Sequence, residues 1–155
     1  MRTFWAILVG ALIFFVGRFA TNMLTAEWFV ASWQAAAIPP APGRYFPTYD
    51  EKELLRLLAV KLGLLAIWSF VAATISGSMA PHRAYRCAMA LAILFVAEFA
   101  GMRWWISYLA RPAYVGTRLM DYLTAIPDLI TVLLFLFLGA AVARGLRRNK
   151  SMPVV

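Results

Sequence analysis

The sequence predicts an all-α integral membrane protein, a four-transmembrane-helix bundle of up-down topology with a Pro/Tyr-rich extracytoplasmic loop between helices 1 and 2. Three observations carry this expectation. Hydrophobic residues make up 63% of the 155-residue chain and charged residues only 14%, with a mean hydropathy of +0.75. A soluble domain of that size has too little interior to hide so much apolar side chain. The chain also offers four apolar runs, each near the roughly 20 residues that one bilayer crossing needs. Finally, the connections between the runs are short, which leaves a single domain over residues 1–155 and no room for a soluble one.

The first span covers approximately residues 3–30, and its helical pattern extends toward Ala37 before "IPPAP" ends it. Pro39, Pro40 and Pro42 lack the N–H donors that helix continuation needs. "MRTFWAILVGALIFFVG" resembles a signal peptide, but "RFATNM" follows where small residues would mark cleavage, so an uncleaved span is expected. The loop "IPPAPGRYFPTYDEKE" comes next, stiffened by proline and carrying Tyr45, Phe46 and Tyr49 as adhesive surface; it suits a cap over an outer pocket or a dock for another subunit. The second span covers approximately residues 54–77 and stops at the turn-forming "SGSMAPH". Spans three and four cover approximately 85–109 and 119–143, and residues 144–155 form a basic tail.

Four spans place both termini on one side. That side carries Arg2, Arg83, Arg86, Arg144, Arg147, Arg148 and Lys150 with no acidic residue. The other side mixes Arg44, Lys52, Arg56, Arg111 and Arg118 with Asp50, Glu51, Glu53 and Asp121. By the positive-inside rule both termini are expected in the cytoplasm, with the chain in a bacterial inner (plasma) membrane. The basic rim of Arg83, Arg86, Arg144, Arg147, Arg148 and Lys150 is expected to meet anionic lipid headgroups. The net charge of +8 therefore reflects topology and membrane lipid rather than nucleic acid, which is not an expected partner.

The spans are not uniformly apolar. Arg18, Glu27, Lys61, Glu98, Arg103 and Asp128 all fall in the outer half of the bilayer, three basic and three acidic. Glu98 and Arg103 share a helix but stand about 140° apart around it, so they are poorly placed to pair with each other. Arg103 can snorkel outward. Glu98, about 18 Å from the inner start of its helix, needs water, a proton or a partner such as Arg18 or Lys61. Arg18, Thr21, Asn22 and Thr25 share one face of span one; Asp121, Thr124, Asp128 and Thr131 share one face of span four. Each ionised group near the bilayer centre costs about 3 kcal/mol or more, so both stripes are expected to face inward. Pro127 removes one helical hydrogen bond beside Asp128, and a kink there could open space. Ala6, Gly10 and Gly17 fall near the polar face of span one and read as a packing surface.

The candidate polar cluster is thus Arg18, Asn22, Glu27, Lys61, Glu98, Arg103, Asp121 and Asp128. Two readings stand side by side: a pocket open to the extracytoplasmic side, or an ion-pair network that fixes helix register. Lone Cys87 excludes an intrachain disulfide and a CxxC motif. His82 is the single histidine, so bis-histidine haem and histidine-based zinc sites are excluded, and no metal or other cofactor is expected. The leading expectation is a non-catalytic subunit of a larger membrane assembly, with other membrane subunits or a homo-oligomer as partners. The alternative is a small transporter or a lipid- or lipophile-binding protein that uses the cluster as its pocket. The second alternative is an enzyme on a lipid or isoprenoid with Glu98 or Asp128 as acid–base.

Overall fold

A computed structural model describes residues 1–38, 48–49, 51–109 and 118–150. The chain forms four long helices: α1 (Arg2–Ala36), α2 (Glu51–Met79), α3 (Ala84–Leu109) and α4 (Arg118–Lys150). All four are long and apolar enough to cross a membrane. The first helix ends three residues before Pro39, as the proline run requires. Ala37–Ile38 then pairs antiparallel with Thr48–Tyr49, a two-residue clasp at the base of the connection to α2. Residues 39–47 of the Pro/Tyr-rich loop, with Tyr45 and Phe46, lie outside the described residues.

Two helices run beyond the apolar spans read from the sequence, for one reason. The second helix starts at Glu51 rather than near Leu54, and α4 runs on to Lys150 rather than ending near Ala143. Hydropathy marks where a helix is greasy, not where its backbone hydrogen bonds stop. Polar turns such as "EKE" and "RGLRRNK" extend the helices beyond their apolar parts.

The turn between α2 and α3 follows from Pro81. A residue before proline is pushed out of the helical region, and Ala80 accordingly takes φ −132 and ψ 63. Pro81–Arg83 makes one 3-10 turn, Arg83 N–H donates to the Ala80 carbonyl at 2.8 Å, and α3 begins at Ala84.

Helix α2 is the centre of the bundle. Its longest seam is with α4; α1 packs chiefly on α2 and more lightly on α3, while α1 and α4 are not in substantial contact. The core holds Phe14, Leu91, Phe95, Val132 and Leu136, with Phe14 and Phe95 meeting edge to face at 5.8 Å. On α1 the buried positions are Ala6, Gly10, Phe14 and Gly17, spaced four, four and three apart. Its opposite face exposes Leu8, Leu12, Val16, Phe19 and Met23. Both of these faces are apolar, as in a helix long and apolar enough to cross a membrane.

Small residues bring the helices close. A Cβ at Gly17 would stand 2.4 Å from the Trp68 ring, and one at Gly10 2.9 Å from Ser76 Cβ. Trp68 therefore lies flat on the α1 backbone, and its Nε1 donates to Thr21 Oγ1 at 2.8 Å. At the α2–α4 seam the close neighbour is backbone rather than side chain. A Cβ at Gly139 would stand 2.6 Å from the Phe70 carbonyl oxygen, and Thr74 Oγ1 donates to the Gly139 carbonyl at 3.5 Å. Close backbone approach of this kind raises dispersion contact where the surroundings offer no hydrophobic drive to associate.

Candidate functional site: two ion pairs and a groove between helices

Among the described residues, four charged side chains within the spans meet as two pairs, each across a different seam. Arg18 Nη1 on α1 donates to Glu98 Oε2 on α3 at 2.7 Å. Lys61 Nζ on α2 donates to Asp128 Oδ2 on α4 at 2.7 Å. Glu98 thus takes Arg18, not Lys61, of its two candidate partners. Helix counting explains the matching heights: at 1.5 Å per residue Arg18 is about 24 Å from Arg2, Glu98 about 21 Å from Ala84 and Lys61 about 27 Å from Met79. The choice of partner follows from facing: α3 touches both α1 and α2, but Lys61 stands on the side of α2 that meets Asp128 of α4.

The two pairs differ in burial. Arg18 and Glu98 side chains keep 26% and 33% of their exposure. The guanidinium also lies over the Phe95 ring, 5.7 Å from its centroid, which shields one face of the cation. Asp128 is buried, with 12% side-chain exposure against 44% for Lys61. Its Oδ1 is buried without a hydrogen-bond partner. A carboxylate oxygen in that position carries its desolvation cost uncompensated, so Lys61 is the contact that makes the charge tolerable.

Pro127 sits one residue before Asp128 inside α4, and the helix continues through it. Proline there leaves the Leu123 carbonyl without its helical N–H partner.

The Arg18–Glu98 pair forms the base of a groove of about 390 Å³ between α1 and α3, lined by Phe15, Val16, Arg18, Phe19, Asn22 and Glu98. Its polarity is graded along the bundle. Phe15 and Val16 lie on the terminal side of Arg18, and Asn22 lies about 6 Å farther toward the loop end. The groove is open to the side of the bundle because α1 and α3 pack only lightly.

The other predicted site residues distribute as follows. Asn22 is exposed and lines the groove. Thr21, on the same stripe, turns toward α2 to receive Trp68. Glu27 is exposed and makes no ion pair among the described residues. Nine residues separate it from Arg18, about 900° of rotation, which puts it on the opposite face of α1. The side chains of Arg103 and Asp121 lie outside the described residues.

At the terminal end, Arg83 and Arg86 are exposed, and Arg83 Nη1 donates to Thr3 Oγ1 at 3.3 Å. Arg144 lies over the Tyr85 ring at 5.7 Å, and that ring stacks on Phe137 at 6.4 Å. Arg147, Arg148 and Lys150 occupy the last turns of α4, and their side chains lie outside the described residues. Cys87 is buried in a small cluster with Ala6 and Ala80. Among the described residues, no three His, Cys, Asp or Glu side chains gather in a way that could hold a metal ion.

Two contributors escaped the sequence reading. Phe95 is three residues before Glu98, hence on the same face, and that spacing was an available signal. Trp68 was legible only through Gly17, whose missing side chain makes room for the ring.

Set against known proteins, the chain matches no family model, no curated protein and no solved structure. The chemistry of the groove and its ion pair alone carries the functional reading.

Proposed function

We propose that the chain resides in a plasma membrane with both termini cytoplasmic, and that it binds an amphiphile in the α1–α3 groove without catalysing its conversion. One observation carries this reading. A charge pair, a quarter to a third exposed, sits at the base of a laterally open groove with apolar lining on one side of it and an amide on the other. Measured from the basic terminal end, the pair lies about 21–24 Å into a hydrocarbon core of roughly 30 Å. Polar ends of lipophilic molecules reach that level, and their tails extend toward the bilayer centre where Phe15 and Val16 stand. Both candidate acid–base carboxylates are already held by cations, which favours binding over acid–base chemistry.

Occupancy is tested with a photoreactive acyl-chain phospholipid incorporated into vesicles with the full chain. Labelling is expected to concentrate on Phe15, Val16 and Phe19 over Ile130 and Leu134, which are as exposed on α4 as Val16 and Phe19 are on α1. Uniform labelling of the two helices would remove the binding reading.

Orientation has its own test. A cysteine introduced at Tyr45, in a Cys87→Ala background, is expected to react with an impermeant maleimide added outside intact cells. Reaction from the cytoplasm alone would reverse the orientation.

A second reading, a subunit of a larger assembly, is favoured by the exposed stripe Leu8, Leu12, Val16, Phe19 and Met23 on α1. Native mass spectrometry from mild detergent separates the two readings. Retained lipid on a single chain supports binding; retained protein chains support assembly.

A further inference from the structure

Resting on the amphiphile reading, we infer that the groove selects a zwitterionic phospholipid headgroup, its phosphate facing Arg18 and its ammonium facing Glu98. Three features of the site converge on this class. First, the base of the groove carries one cation and one anion side by side, Nη1 and Oε2 at 2.7 Å. A headgroup with only negative charge would gain Arg18 but face Glu98, and one with only positive charge would meet the reverse conflict. A group bearing both charges close together is complementary to both partners.

Second, the contact between Arg18 and Glu98 is monodentate. A guanidinium offers five N–H donors in a planar fork, and a carboxylate offers a second oxygen. The pair thus retains hydrogen-bonding capacity on both members after it has formed. Phe95 covers one face of the guanidinium, so the remaining donors work at its edge, where a phosphate oxygen is held best.

Third, the lining is ordered along the membrane normal in the sense a far-leaflet lipid requires. Asn22, about one turn beyond Arg18, supplies amide donors and an acceptor at the headgroup end. Phe15 and Val16, about one turn or less below it, receive the upper acyl chain. Phe19 lines the same groove beside the polar level. An amphiphile entering from the near leaflet would place its tails against Asn22 and its head beyond Phe15, against this order.

The experiment uses the full chain in vesicles of a neutral host lipid. Trace photoreactive lipids with one common acyl chain and four heads are compared: phosphoethanolamine, phosphocholine, phosphoglycerol, and free hydroxyl as diacylglycerol. Labelling of Phe15, Val16 and Phe19 is expected to be about tenfold higher for the two zwitterionic heads: phosphoethanolamine adds a charged hydrogen bond to Glu98, and phosphocholine, which has no N–H, adds an ionic contact there. In the neutral double variant Arg18→Gln/Glu98→Gln, groove labelling is expected to persist while the preference disappears. Equal labelling by all four heads, or a preference for phosphoglycerol, overturns the zwitterion inference and leaves the amphiphile reading standing. Absence of groove enrichment with every head removes the amphiphile reading itself. A zwitterion preference that survives in the double variant overturns the assignment to Arg18 and Glu98. If the double variant does not fold, the competition among the four heads on the unaltered chain decides the inference.

Discussion

Lys61→Met is expected to destabilise the protein by about 2–3 kcal/mol, and more than the reciprocal Asp128→Leu. The asymmetry follows from burial. Removing the ammonium strands a carboxylate with 12% side-chain exposure whose Oδ1 already lacks a partner. Removing the carboxylate leaves a lysine with 44% exposure, whose long stem can carry its charge toward the interface. The value is set below that of a fully buried pair because one partner is only half buried. Lys61→Met/Asp128→Leu is expected to cost less than the sum of the single changes, as a coupled pair does. Unfolding by SDS in mixed micelles measures all three. Strict additivity would mean that the contact contributes nothing net, and equal costs for the two single changes would contradict the asymmetry in burial.

Gly139→Leu is expected to have an effect of similar size through a different cause. Its Cβ would fall 2.6 Å from a backbone oxygen, that of Phe70, and 2.9 Å from Ala73 Cβ. A backbone carbonyl in a helix cannot rotate aside, so α2 and α4 must separate along their longest seam. Overpacking of this kind costs about 3 kcal/mol where nothing can yield. The control lies six residues away: a Cβ at Gly145 meets nothing within 4 Å, so Gly145→Leu should leave stability within about 0.5 kcal/mol. The same mixed-micelle titration reads both. A tolerated leucine at 139 would contradict the close approach of these helices.

The four helices were legible because each carries its own apolar run, a property of local sequence. The level of the charges was also legible, since helical rise converts residue number into height, and Arg18, Glu98 and Lys61 could be aligned by counting. Partner choice was not, because it depends on which helices touch, and no periodicity in a helix apolar on every side tells which face meets which neighbour. Hence Arg18 and Lys61 were equal candidates for Glu98 until Lys61 was seen to face Asp128 of α4. Glu27 stands apart by the same counting: nine residues from Arg18 put it about 14 Å farther along α1 and on the opposite face. The α2–α4 seam went unread because Ala73, Thr74 and Gly139 resemble ordinary apolar-run filler until a second backbone lies against them.

The sequence distance within the ion pairs has a consequence in time. Arg18 and Glu98 are 80 residues apart, and Lys61 and Asp128 are 67 apart. At 5–20 residues per second, the ribosome makes Glu98 about 4–16 s after Arg18. In a chain entering the membrane as it is made, α1 spends that interval with an unmatched arginine near the far interface, where the side chain can reach headgroups. Lys61 waits nearly as long for Asp128. Each basic member is synthesised before its acidic partner, so in the proposed membrane setting the waiting member of each pair is a cation, which headgroup phosphates can hold until the matching helix arrives.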